Sequence, residues 1–261
     1  MTARIETDHH ALIVWNENTN RRNALTPAFY DAIQEGCARA EGEAGIGAVI
    51  IAGAGGYFSA GGDLNALKTR AELPKRERAE KIERLHDAIR AVRHCPVPVI
   101  AAVEGGAAGA GWSIAAACDM IVAARGVEFR AAYVRAGLVP DGGLTATLAA
   151  TLPPATVLPL LLSGEPITSD RLHALGAVSE LCETGEAVAR AAVLANAFAH
   201  GPREAQTRIK RLAHAAYEGT LAAQLDAERD AMARAQGGPE AAEGIDAFLS
   251  KRKPDYERFR K

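Results

Sequence analysis

Three observations on this 261-residue chain predict an α/β fold with a largely parallel sheet. Apolar β-like runs, Ala48–Ala52 and Val97–Val103, alternate with helix-compatible stretches, the pattern of parallel strands joined by crossover helices. Each run is followed by a short glycine-punctuated segment that opens toward a helix: Phe58–Leu64 (FSAGGDL) and Gly105–Asp119 (GGAAGAGWSIAAACD). From about Glu186 the pattern becomes helix only. The expected organisation is a core over residues 1–185 and a C-terminal helical oligomerisation region over residues 186–261.

The elements follow in order. Arg4–Thr7 and Ala11–Asn16 read as two short strands turning at Asp8-His9. Thr26 is an N-cap and Pro27 a first helical residue, so a helix starts there and runs to about Glu41. Leu73–Arg93 is a charged amphipathic helix with Ile82, Leu85, His86, Ile89 and Val92 on one face. Cys95–Pro98 stops it before the second apolar strand. Ala107–Ala124 is apolar almost to the length of a membrane span, yet Asp119 and its Ala/Gly content mark a buried helix followed by a buried strand. Pro202 and Pro239, each after a glycine, occupy expected first helical positions. Between them, Glu218–Gln236 carries Leu221, Leu225, Ala231 and Met232 among charges. Such helices have no sheet to cover and must pack on each other or on another subunit.

Composition excludes several classes. Thirty basic against 32 acidic residues give a formal charge of −2, without the footprint of a general nucleic-acid binder. Cys37, Cys95, Cys118 and Cys182 are scattered without a CxxC pair and read as buried thiols in a reducing compartment. His9, His10, His94, His173, His200 and His214 have no metal-ligand spacing, so no metal is expected. The opening MTARIETDHH has no apolar h-region, and the expectation is a cytoplasmic protein that does not enter membranes.

The two glycine segments carry the chemistry. Ala60, Gly109, Ala110 and Gly111 have almost no side chain, so a ligand can approach bare backbone. Two such turns can aim two N–H groups at one oxygen, and a helix N-terminus adds its positive end. That equipment holds an enolate-like oxyanion. Either segment alone is the common Ala/Gly turn packing strand on helix; the two in this order point to a site.

At these residues the chain resembles the enoyl-CoA hydratase/isomerase (crotonase) superfamily. The match extends upstream to Asn20–Leu25 (NRRNAL), downstream to Gly137–Gly143 (GLVPDGG), and ends at Phe248–Pro254 (FLSKRKP). The resemblance implies a ClpP/crotonase-like fold of repeated ββα units and a homotrimer or a hexamer made of two trimers. It implies an acyl-CoA thioester substrate, with coenzyme A part of the substrate and no separate cofactor. It also implies an oxyanion hole made by the N–H groups of Ala60 and Ala110. The resemblance further implies contacts to the CoA portion at Arg22, Ala24, Ala60, Gly62, Asp63 and Leu64, with Asp63 alternatively bracing its own turn. Lys251 begins a basic tail with Arg252, Lys253, Arg258, Arg260 and Lys261, readable as a lip for the CoA phosphates, of this or a neighbouring subunit, or as a solvated terminus.

Departures from the family pattern bear on the reaction. The family's hydratases place two glutamates on one water, and here those positions read Ser113 and Tyr133. Neither replaces a carboxylate base near neutral pH, since tyrosine titrates near ~10 and serine is weaker still. Asp141 matches the single carboxylate of isomerase members, which suffices to remove a proton at one carbon and return it at another. Without that resemblance, an aspartate between Pro140 and Gly142 reads as a turn former. His86 faces inward and reads as a satisfied core residue, or as partner to Asp141 in the manner of hydrolytic relatives. Glu104 reads as structural, and Trp112 and Phe129 as core or pocket wall. Double-bond isomerisation through a stabilised enolate is the expected activity. Hydration or hydrolysis of an unsaturated or cyclic acyl-CoA, assisted by His86, stays open, as does a catalytically silent acyl-CoA-binding protein.

Overall fold

The computed structural model describes residues 2–260, so Lys261 of the basic tail and the initial Met1 lie outside them. The N-terminal pair is an antiparallel hairpin, β1 (Ala3–Asp8) and β2 (Ala11–Asn16), turning at His9 with a left-handed φ of 49°. β2 then runs parallel to β3 (Ala48–Gly53), and β3 parallel to β4 (Val99–Val103). Every residue of β3 and β4 is buried, which explains their unbroken apolar runs: both sheet faces are covered. β6 (Met120–Ala124) and β9 (Glu180–Cys182) complete a six-stranded sheet in the order β1-β2-β3-β4-β6-β9. A second sheet holds β5 (Gly106–Ala108), β7 (Glu128–Arg130) and β8 (Pro166–Thr168). The chain thus visits both sheets in succession, through β4–β5 and again through β6–β7.

Helices cover the sheets. In α1 (Pro27–Gly42), Thr26 accepts from Phe29 N–H at 3.3 Å and Pro27 fills the first position, as expected from the sequence. α1 buries Phe29, Ile33 and Cys37. The predicted Leu73–Arg93 helix is α3 (Lys75–His94), preceded by the short α2 (Leu64–Arg70). α3 buries Leu85, Ala88 and Val92, whereas Ile82 is 41% exposed and leaves the expected inward face. The apolar stretch after Gly105 resolves into β5, α4 (Ala110–Ala117) and β6, with Trp112 of α4 packed on Phe129 in the core. α5 (Leu144–Thr151), α6 (Pro154–Ser163) and α7 (Ser169–Ala174) follow.

The helical region behaves differently from the expectation at its start. α8 (Ala187–Ala199) lays Ala187, Ala191 and Ala195 against Ile13, Ile50 and Ile100, so it covers the main sheet and belongs to the core. The helices without a sheet are α9 (Arg203–Ala215), α10 (Leu221–Gln236) and α11 (Pro239–Leu249). Polar contacts dock α9: Arg203 donates to the carbonyls of Ala40 and Ile46, and Thr207 to that of Pro96. Buried Lys210 donates to Val92 and Val97 carbonyls and pairs with Asp119 at 2.7 Å. Ile209, Leu221, Leu225, Met232, Ile245 and Phe248 are left exposed. Among the described residues no helix is long and apolar enough to cross a membrane.

Candidate active site

The two glycine segments meet. Ser59 bridges Ala107 of β5, and Ala108 N–H donates to Ser59 O at 2.9 Å. A Cβ on Gly61 would stand 2.5 Å from Ala108 O and 3.2 Å from Ala110 N, and one on Gly111 would stand 2.7 Å from Ser59 Cβ. Gly61 also has φ +85°, so glycine is required there twice over. The small residues read from the sequence therefore serve first to bring two backbones into contact.

Amide accounting separates the donors in the first turn. Ala60 N–H donates to the Arg22 carbonyl at 2.9 Å, which corrects its expected place in an oxyanion hole: the group is already paired. Gly61 N–H donates to Ser59 Oγ at 3.1 Å. Gly62 N–H has no acceptor among the described residues, and Gly62 is exposed. The Arg22 carbonyl reaches Ala60 because Arg22 and Asn23 both adopt left-handed backbone, φ 47° and 54°. Asn23 locks that conformation, donating from Nδ2 to the Ala54 and Tyr57 carbonyls while its own carbonyl accepts from Asn16 and Ser59. In the second turn, Ala110 is the first residue of α4, and its N–H has no acceptor among the described residues. It lies at the helix N-terminus, where the dipole favours negative charge.

Ser113, Tyr133 and Asp141 form one hydrogen-bonded group. Tyr133 Oη donates to Asp141 Oδ1 at 2.8 Å. Ser113 Oγ lies 2.8 Å from Tyr133 Oη and donates to the Asp141 carbonyl at 2.9 Å. Tyr133 thus holds the Asp141 carboxylate, while Ser113 holds Tyr133 and the Asp141 backbone carbonyl. Burial, and then the Asp141 charge, push the Tyr133 phenol above the ordinary tyrosine range, so it stays protonated and donates. Sequence reasoning had treated Tyr133 only as a lost carboxylate.

The other predicted residues scatter in role. His86 is half-buried on α3; its Nε2 accepts from Gly142 N–H at 3.4 Å and its Nδ1 lies 3.4 Å from Glu83. Asp63 caps α2 by accepting from Asn65 N–H at 2.9 Å and pairs with Arg21, which is the bracing role. Leu64 is exposed, Ala24 is buried, and Arg22 lies over the Tyr57 ring at 5.9 Å. Lys251 is exposed after α11, and no hydrogen bond or ion pair links it to either turn. Two of its basic neighbours are occupied: Arg252 and Arg258 pair with buried Glu243 at 2.6 and 2.5 Å. Glu104 is structural, accepting from Gly185 and Ala187 N–H ahead of and at the start of α8. A cavity of about 1020 Å³ between α4, α5 and α9 is lined by none of the candidate site residues.

Two sheets visited in turn, and two small-residue turns meeting at a helix N-terminus, define a protein of the crotonase type. The chain matches the enoyl-CoA hydratase/isomerase family over residues 12–259 and belongs to it. It is 32% identical to 1,2-epoxyphenylacetyl-CoA isomerase of Escherichia coli over 237 residues, 90% of each chain. It is 31% identical to a probable enoyl-CoA hydratase of Rhodobacter capsulatus over 258 residues, 98% of this chain and 97% of that one. Among solved structures, an enoyl-CoA hydratase from Polaromonas sp. JS666 superposes with a TM-score of 0.94 at 41% identity, covering 97% of this chain and 98% of the other. The protein is accordingly a crotonase-superfamily enzyme acting on acyl-CoA.

Proposed function

We propose that this enzyme isomerises a double bond in an acyl-CoA, with Asp141 as the single acid–base group. The carboxylate takes a proton from a carbon activated by the thioester, and the electron pair moves onto the thioester oxygen. The protonated Asp141 then returns the proton to a different carbon as the enolate collapses, so no water or external acid is consumed. Gly62 and Ala110 N–H, one from each turn and neither with an acceptor among the described residues, hold the developing oxyanion. Coenzyme A enters as part of the substrate, and no separate cofactor takes part.

One observation carries the reading: Asp141 is the carboxylate of the hydrogen-bonded group, with hydroxyls at Ser113 and Tyr133 where a hydratase carries its two glutamates. His86 does not fill that gap, because its Nε2 lone pair faces Gly142 N–H. The likeness to an enzyme named as an isomerase supports the same side. Turnover across a panel of unsaturated acyl-CoA thioesters tests it. The expected product is the positional isomer, and isomerisation should survive His86→Ala. A 3-hydroxyacyl product or a free acid that falls about 10²–10⁴-fold in His86→Ala would support hydration or hydrolysis instead. Binding without product would mark a silent acyl-CoA-binding protein.

The working unit in this reading is a trimer, or a hexamer of two trimers, in the cytoplasm, joined through α9–α11. Support comes from Ile209, Leu221, Leu225, Met232, Ile245 and Phe248, which stay exposed among the described residues. A trimeric or hexameric mass in solution is expected. A monomeric mass at micromolar concentration would remove the assignment.

A further inference from the structure

Asp141 sits in a Pro-Asp-Gly-Gly turn, where an aspartate ordinarily folds its carboxylate back onto nearby amides. Here Leu144 N–H goes to the Asp141 backbone carbonyl at 3.4 Å, and Gly142 N–H goes to His86. Among the described residues the carboxylate has one hydrogen bond, from Tyr133 to Oδ1, and Oδ2 has none. Tyr133 is presented by the short 3₁₀ turn Ala132–Ala136, and Ser113 by α4, so two separate elements converge on this one acid.

We propose that Tyr133, braced by Ser113, is a positioning residue that fixes Asp141 through Oδ1, tunes its basicity and leaves Oδ2 to carry the proton. This rests on Asp141 being the base. Tyr133 has a single proton and gives it to the carboxylate, so the one Ser113 proton is shared between Tyr133 Oη and the Asp141 carbonyl. A hydrogen bond to the charged form favours that form. Tyr133 thereby fixes the orientation of the partly buried Asp141 carboxylate through Oδ1.

Other groups around the acid separate cleanly. Tyr30 of α1 is pushed up to about 12 by burial first and the Asp141 charge second, with Arg70 and Arg84 opposing. It stays neutral near pH 7. His86 of α3, with Glu83 behind it, is a further ionisable group facing this turn. The pH profile is therefore measured in the wild-type and His86→Ala backgrounds.

The test is the pH dependence of kcat and kcat/KM for isomerisation. In Tyr133→Phe the acid limb should move up by about one pH unit, kcat should fall about tenfold, and KM should hold. Ser113→Ala should move the limb the same way by less. A fluorotyrosine at position 133, a stronger donor of nearly the same size, should move it down, and this variant serves if Tyr133→Phe folds poorly. An unmoved acid limb in either Tyr133 variant, or one moving opposite to these directions, overturns the proposal. Asp141→Asn is run alongside. If it keeps activity, Asp141 is not the base and both readings fall; if it is dead while the Tyr133 variants leave the limb in place, only the positioning role falls.

Discussion

The two glycine turns pack directly on one another, yet they keep their free amides for different reasons. In the second, Ala110 opens α4, and a helix start leaves its N–H unpaired by construction. In the first, two of three successive amides are taken: Ala60 by the Arg22 carbonyl and Gly61 by Ser59 Oγ, leaving Gly62. One donor is thus supplied by regular structure and the other by subtraction. The second kind depends on a distant loop, since the left-handed Arg22–Asn23 backbone and the Asn23 side chain decide which amide remains. A small-residue motif marks where the backbone is bare, while the pairing of its neighbours decides which N–H can work.

Breaking each turn in turn sharpens this contrast. Of the turn variants, Ala110→Pro should have the largest effect on turnover, a fall of about 10²–10³ in kcat, because it deletes one oxyanion donor. Proline is tolerated at a first helical position, so the fold should hold. An amide-to-ester replacement at residue 62 should cost a comparable factor, whereas the same replacement at residue 60 should spare kcat and lower the melting temperature. Equal kcat losses at 60 and 62 would show that the Arg22 contact opens during catalysis. Ser59→Ala should affect turnover least. It leaves the buried Gly61 N–H and the Asn23 carbonyl short of a partner, a stability loss of about 1–3 kcal/mol visible in denaturant unfolding.

Much of the architecture was legible in the sequence because it rests on local signals. Thr26-Pro27 starts α1 as capping chemistry requires, and the runs that become β3, β4 and β6 are apolar because both faces are buried. α8 was misplaced for a physical reason: its contact face is alanine, and a stripe of Ala187, Ala191 and Ala195 carries too little apolar signal to announce a sheet beneath it. The site divides along the same line. The Ala110 turn is marked by its small residues ahead of a helix, whereas Asp141 is singled out by the resemblance alone, its own neighbours reading as a turn. The Ala60-to-Arg22 and Tyr133-to-Asp141 hydrogen bonds were not legible, because each depends on where a separate loop places one oxygen. Lys251 was chosen for its charge, and charge alone does not say whether a tail reaches the site of its own chain.

Asp141 as sole proton carrier is the centre of this account, and solvent exchange tests it most directly. The acyl-CoA that turns over best is incubated in deuterated buffer with the wild-type enzyme and with Asp141→Asn. Asparagine keeps the size of the side chain and its hydrogen bond from Tyr133 while removing the basicity. The wild type should wash deuterium into the α or γ carbon of the substrate. Asp141→Asn should bind the thioester nearly as well and lose that exchange by about 10²–10⁴-fold. Undiminished exchange in Asp141→Asn would make Asp141 a turn former only and leave the isomerase reading without its base.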